Sequence, residues 1–345
     1  MAERFIDQGT VNLKFDGVNY EFWTQVSTRE SIDDLCAGIQ LDVVRSGAGS
    51  NLGTSANTVF GVWIDNELVT TARADEFVRD VGPTSHEIYF AGRSLGRELV
   101  DCQYSITLSG LKLGEIVKRI CETFKVPVKI DATTAVVPKF SMQCEQPANA
   151  LINAVRTANL LLYPLPDGGL ILTAPTSAEP VATLVAGDHF HRYRVIDEFK
   201  LRFSEYRIKS FDYDGDKSVK GHVADDGLTF FRPMHIVADR HGTGLGSCER
   251  RATLERNRRQ ARAHRLELHL GGWRHAGGIW RINTQVRVII PGEDIDAVFM
   301  IGEVHRKLDD HGGRVTILQV MDRNAFLSDE QKQKTRRGTT KAVRK

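Results

Sequence analysis

The stretch that decides the reading of this chain is Gly272-Trp273-Arg274, followed by Gly277-Gly278-Ile279-Trp280-Arg281-Ile282-Asn283 and the apolar run Val286-Arg287-Val288-Ile289-Ile290. A strand-like Leu266-Glu267-Leu268-His269-Leu270 leads into it, and residues 249–265 just upstream carry seven arginines. Glycines flanking two large aromatics suit a hinged β-hairpin whose tryptophans anchor a core or an assembly interface. No catalytic constellation is built from these residue types at these spacings. The first expectation is therefore a structural assembly protein, not an enzyme, with Trp273 and Trp280 as core or interface anchors.

Outward from that motif, β signals dominate. Residues 13–20 contain Asp16-Gly17, a pair able to supply the positive φ angles of a tight hairpin turn. A second β segment runs over 58–71 with Asn66 near its turn, and a third over 86–91 ends at Gly92. Ser46 to Gly53 reads as a flexible loop. Short strands with glycine-rich connections argue for a small antiparallel barrel or sandwich. The pattern then changes. Leu113 to Phe124 places Ile116, Val117, Ile120, Cys121 and Phe124 on one helical face. Gln146 to Asn159 is a second helix with Pro147 in its first turn. The runs 160–165 and 170–173 flank the turn Pro166-Asp167-Gly168-Gly169. β character returns over 188–214, a third helix is expected over 247–265, and strands resume from 266 to about 318.

A length of 345 residues predicts two or three domains, and 41% hydrophobic with 26% charged residues is ordinary for a soluble globular chain. The net charge of +2 is uneven. Residues 327–345 hold seven Lys/Arg against Asp329 and Glu330 and are aperiodic, so a disordered basic tail is expected there. No run approaches the roughly 18 apolar residues of a membrane span, and the N-terminus lacks the apolar core of a signal peptide. The five cysteines are odd in number and never in a CxxC pair, which favours free, buried thiols in a reducing cytosol.

Several motifs invite a sharper chemistry and fail it. Asp212-Tyr213-Asp214-Gly215-Asp216 resembles the start of a calcium loop, but glycine falls fourth instead of sixth and Val223 stands where the bidentate Glu is needed. Gly242-Thr243-Gly244-Leu245-Gly246-Ser247 precedes a helix yet lacks both the P-loop lysine and the GxGxxG spacing. His189 and His191 share a strand face with no completing ligand, and Asp309-Asp310 sit in a glycine-rich turn. No catalytic, cofactor or metal residue is assigned. The arginines at 250, 251, 256, 258, 259, 262 and 265 go around the helix, with Ala252, Leu254 and Ala261 as its small apolar side. They suit either ion pairing with carboxylates across subunits or contacts to nucleic-acid phosphates; the absence of interleaved aromatics favours the former.

In order along the chain, Gly92-Arg93-Ser94 with Glu98 to Cys102, Leu113 to Val117, Arg202 to Tyr206, Arg232-Pro233, Arg251-Ala252 with Glu255, Gly272 to Arg274, Gly278 to Trp280, Asn283 and Asn324 to Phe326 form one pattern. That ordered set, over about 85–326, resembles the central baseplate hub proteins of contractile-tailed phages, the Mu-like hubs and the related late-control D tail proteins. Residues before 85 match it only in general β character.

The resemblance implies a β-rich α+β fold with two small antiparallel β-barrels per subunit and an inserted α+β domain, assembled as a homotrimeric ring. It implies a first barrel over 1–91, a discontinuous inserted domain over 92–180 and about 206–268, a second barrel over 181–205 and 269–326, and the tail 327–345. The implied role is to join the tail tube and other baseplate proteins to the central spike in the virion, leaving a channel for DNA ejection, after assembly in the bacterial host cytoplasm. Unlike some relatives, this sequence carries no spike or lysozyme part. The competing readings are a nucleic-acid-binding protein using the arginine-rich helix and basic tail, and a cell-wall-degrading tail enzyme, for which no acid/base pair can be named.

Overall fold

The computed structural model describes residues 9–20, 23–44, 55, 58–83, 86–211, 218–237, 245–309 and 312–326. The described residues up to Arg93 form strands, turns and loops only: β1 (Val11–Phe15), β2 (Val18–Tyr20), β3 (Trp23–Ser31), β4 (Gly38–Val44), β5 (Val59–Ile64), β6 (Glu67–Val81) and β7 (His86–Arg93). The Asp16-Gly17 pair turns β1 into β2 with φ of 47° and 85°, as a tight hairpin requires. Inward residues of these strands, among them Leu13, Val26, Phe60, Val62 and Phe90, close one apolar core. Gly92 does not end β7, as the sequence suggested; it lies within the strand. A Cβ there would sit 2.3 Å from the Arg73 carbonyl oxygen and 2.6 Å from the Phe60 ring, so only glycine permits the close approach.

Residues 97–173 form an α+β module: α1 (Arg97–Asp101), β8 (Tyr104–Lys112), α2 (Leu113–Thr123), β9 (Val128–Asp131), β10 (Val136–Glu145), α3 (Pro147–Thr157), β11 (Leu161–Pro164) and β12 (Leu170–Thr173). Both helices fall where the apolar spacing put them. Their buried faces, Ile116, Val117 and Ile120 with Leu151, Ala154 and Val155, share one core with Phe140, Leu170 and Leu172. β12 completes the expected hairpin with β11 and also pairs in parallel with β9, a contact with no local sequence signal.

The remainder begins with β13 (Ala182–Val185) and β14 (Arg192–Asp197). A small unit follows, made of β15 (Glu205–Phe211), β16 (Ser218–Ala224), β17 (Pro233–Val237) and α4 (Leu245–Ala263). The chain then returns with β18 (His264–Gly271), the short β19 (Arg274–His275) and β20 (Gly278–Ile279), β21 (Gln285–Ile290), β22 (Ile295–Asp309) and β23 (Gly313–Asp322). The arginine-rich helix therefore stops at Ala263, and Arg265 belongs to β18. Within the small unit, Tyr206, Ile208, Cys248 and Ala252 make a separate core.

The sheet topology differs from two separate closed barrels. Among the described residues, one 13-stranded sheet runs β14-β18-β23-β22-β3-β4-β7-β6-β5-β1-β2, with β21 on β22 and β13 on β21. The join is β22. Its first half pairs with β21, from Gln285↔Met300 to Ile290↔Ile295, and its second half pairs with β3, from Glu303↔Ser31 to Leu308↔Val26. A register shift against β23 at Gly302 marks the change of partner, and the Gly302 carbonyl accepts from the Ile32 N–H at 2.9 Å. The physical reason is length. Fifteen residues at roughly 3.3 Å each outrun the six of β21, so the strand continues from one β body into the other. β14, β18 and β23 lie side by side, which places 192–197 in the same body as 264–322 despite the intervening unit.

Candidate assembly scaffold

The tryptophan motif lies between the two β bodies and holds them together. Both indoles are fully buried, but in different cores: Trp273 packs in the first β body and Trp280 in the second. The Trp273 Nε1–H donates to the Lys307 carbonyl at 3.1 Å, and the Trp280 backbone N–H donates to the Trp273 carbonyl at 3.2 Å. Side chains beside them reach the hairpin of β5 and β6. Arg274 pairs with Glu67 at 2.9 Å, and Arg281 donates to the carbonyls of Leu68 and Val69 at 2.6 and 2.8 Å. Asn283, with φ of 55°, reaches the α+β module: its Nδ2 donates to the Tyr163 hydroxyl at 3.2 Å and its Oδ1 accepts from the Thr176 N–H at 2.9 Å. Twelve residues thus touch three packing units. The anchors are core anchors within one chain.

His275 adds a pH-sensitive element. Its ring lies 4.7 Å from that of Trp280, and its Nδ1 accepts from the Gly277 N–H at 3.2 Å. Burial lowers its pKa, with Glu67 opposing. The neutral imidazole is the form that can accept.

The seam of β22 and β3 carries a buried ion pair that the sequence reading missed. Arg306 is fully buried, donates to Glu30 at 2.6 Å and also hydrogen-bonds the Trp280 carbonyl. Arg306 stands opposite Thr28 and Val304 opposite Glu30, so the pair is a diagonal contact on the inward face. A signal existed: along Gly302, Val304, Arg306 and Leu308 one arginine occupies an otherwise apolar alternation. On the outward face, Arg29 makes a two-point contact with Glu303 at 2.8 and 2.9 Å, and His305 Nε2 meets the Ser27 hydroxyl at 2.8 Å. Burial lowers the His305 pKa, reinforced by Lys307 and countered by Glu303.

Arg251, Arg256, Arg258, Arg259 and Arg262 of α4 bond inside the chain, where the sequence left open pairing across subunits or contacts to phosphates. Glu255 takes Arg259 at 2.7 Å and Arg251 at 3.7 Å; Arg256 reaches the Ala224 carbonyl at 3.4 Å. From β18, Arg265 pairs with Glu198 at 3.2 Å. Asp33, in the turn after β3, accepts from Arg262 Nε at 3.1 Å and Arg156 at 3.3 Å. Burial alone would raise the Asp33 carboxyl, but Arg262 and Arg156 outweigh it and hold it below the usual range. Glu255 behaves likewise under Arg251 and Arg259. Ala252, Leu254 and Ala261 are buried, as the apolar side required, and Arg250 is exposed. Charge already engaged by internal carboxylates is less available to phosphates, so this helix reads as packing.

The remaining motifs have local roles. His189 Nδ1 accepts from the Val185 N–H at 3.1 Å in a turn that buries Phe190, and Asp309 accepts from the Gly312 N–H. Cys121 and Cys248 are buried and Cys144 is exposed; burial pushes the Cys36 and Cys121 thiols up to about 12. Among the described residues no group of three or more His, Cys, Asp or Glu could hold a metal, and no helix is long and apolar enough to cross a membrane. The loop 46–53, the Asp212–Asp216 motif, the lead Gly242–Gly244, Asp310 and the tail 327–345 lie outside the described residues.

The fold, two β bodies joined by one shared strand with an α+β module and a helix-backed small unit, is shared with solved structures. The structure matches the 43 kDa tail protein of prophage MuSo2 from Shewanella oneidensis with a TM-score of 0.80 at 23% identity, covering 92% of this chain and 99% of that one. A tail protein from Neisseria meningitidis gives 0.80 at 21% identity, covering 92% and 97%. Family models match residues 97–174 (baseplate hub protein gp44-like, second domain) and 246–329 (Mu phage baseplate assembly protein GpP, fourth domain). The chain resembles the contractile-tail baseplate hub proteins over nearly its whole length. In particular it is 28% identical over 351 residues to the baseplate hub protein gp44 of Escherichia phage Mu, covering 95% of this chain and 92% of that protein.

Proposed function

We propose that the chain is a structural component of a contractile phage or prophage tail, the central hub of its baseplate. The observation that carries this is the near end-to-end similarity to the Mu baseplate hub protein. Its mechanism is mechanical. β22, Arg306 and the tryptophan motif join two β bodies through shared pairing and buried contacts, which suits a subunit that transmits load between tube and spike. Three such subunits, each offering two β bodies, would form a pseudo-sixfold ring around a channel for DNA, joined to a tail spike and other baseplate proteins.

The domain division that goes with this reading is a first β-barrel domain over 1–91, an inserted α+β domain over 92–180 and about 206–268, and a second β-barrel domain over 181–205 and 269–326. Separate apolar cores in the two parts of the insertion mark them as two packing units, linked where Arg258 donates to the Leu160 carbonyl at 3.3 Å. Ring closure would come from packing between subunits. The test is a solution mass by light scattering, with a particle three times the 38.6 kDa chain expected. A monomer that retards DNA in a gel would instead support the nucleic-acid reading.

A further inference from the structure

Where the turn after β3 meets α3 and α4, positive charge outnumbers negative. Arg156, Arg258 and Arg262 surround the Asp33 carboxylate, with the exposed Asp34 beside it, while one turn away Glu255 is already shared by Arg251 and Arg259. Asp33 is taken by Arg156 and Arg262. Arg258 is left out of these ion pairs, its guanidinium lying over the Phe326 ring 5.5 Å from the centroid. It is 4% exposed, donates from Nη2 to the Leu160 carbonyl at 3.3 Å, and among the described residues has no carboxylate at ion-pair distance. Its Nε–H is buried with no acceptor among those residues. A buried guanidinium without a counter-charge is costly, so the surroundings should supply one. Burial, and then Arg156, pull the Arg258 pKa down to about 9, which is the same conflict expressed as a proton affinity.

Beside Arg258 lies a cavity of about 10 Å³ for the centre of a water-sized occupant, lined by Ile32, Asp33, Ile152, Val155, Arg156 and Arg258 among others. That is room for one small particle. Sulfate and phosphate need more room than one such particle. We propose that this cavity binds a single monatomic halide-class anion, chloride under ordinary ionic conditions, held by Arg258 Nε–H and the Arg156 guanidinium. Bound there, it joins α4 to α3 and to the first β body. The Asp33 carboxylate in the same lining opposes an anion, but its charge is spent on Arg156 and Arg262. A water could satisfy Nε–H and would leave the excess charge in place.

The test uses the full chain. Its melting temperature is followed as sodium gluconate is replaced by sodium chloride at constant ionic strength, which holds general screening fixed. A rise of roughly 3–6 °C is expected by about ten times the chloride Kd, growing with the logarithm of chloride beyond it. Arg258→Met should abolish the rise, and the exposed Arg250→Met should keep it. Diffraction from crystals soaked in bromide should show an anomalous peak in the cavity. Equal melting in the two salts, or a cavity that holds water only in bromide, overturns the proposal. Should Arg258→Met fail to fold, the bromide experiment on the natural chain decides alone.

Discussion

Replacing Trp273 by alanine tests whether the tryptophan motif holds the two β bodies together. The side chain is fully buried in the core of the first body, and its Nε1–H satisfies the carbonyl of Lys307 on the strand shared with the second. Truncating a buried tryptophan costs about 3–5 kcal/mol through lost burial and the cavity left behind. At roughly 2–4 °C per kcal/mol for a cooperative unit of this size class, the melting temperature should fall by about 6–20 °C. Trp273→Phe keeps most of the apolar surface but loses the donor and some ring volume, so a smaller cost of about 1–3 kcal/mol is expected. Calorimetry gives the size of the effect, and amide hydrogen exchange gives its place: protection should drop in β5, β6 and the second half of β22 before β9 and β12. If Trp273→Ala melts within about 2 °C of the natural chain, the indole is not an anchor and the reasoning fails.

Gly92→Ala should destabilise by more than about 2 kcal/mol in denaturant unfolding, because the new methyl meets backbone at 2.3 Å; Gly302→Ala meets only the mobile end of Met321 and should cost less. The reverse order would show that the join at Gly302, not the packing at Gly92, is the tighter constraint. Arg306→Met alone should cost about 3–5 kcal/mol by stranding Glu30, while Arg306→Met with Glu30→Leu should recover much of it, measured as a double-mutant cycle. Acid should weaken the fold in two stages. His275 and His305 have lowered pKa values in the folded chain, so the unfolded chain takes up protons first and stability falls as pH drops below about 6.5. Asp33 and Glu255 are also lowered; their contribution, present above the ordinary carboxylate range, is lost as pH falls through their folded values. Melting curves from pH 8 to pH 3 check both stages, and a flat profile between pH 7 and 5 would remove the histidine part.

Much of the local structure was legible in the residues. The Asp16-Gly17 turn, the helices near 113–124 and 146–159 and the hairpin at 160–173 each rest on interactions between near neighbours, and periodicity or turn chemistry reports those directly. The tryptophan pair was legible as anchors from residue type and flanking glycines, though the cores they enter were not. Tertiary structure alone decided the rest. That β22 divides its pairing between β21 and β3 depends on residues some 270 positions apart, and alternation within a strand carries no record of its partner. The arginines of α4 were visible as charge, and the i,i+4 spacing of Glu255 with Arg251 and Arg259 is local to the helix, but the pairing of Arg262 with Asp33, more than 200 residues away, follows from packing. So does the burial of Arg306. A sequence states which groups need partners; only the fold brings distant partners within the few ångströms over which hydrogen bonds and ion pairs act.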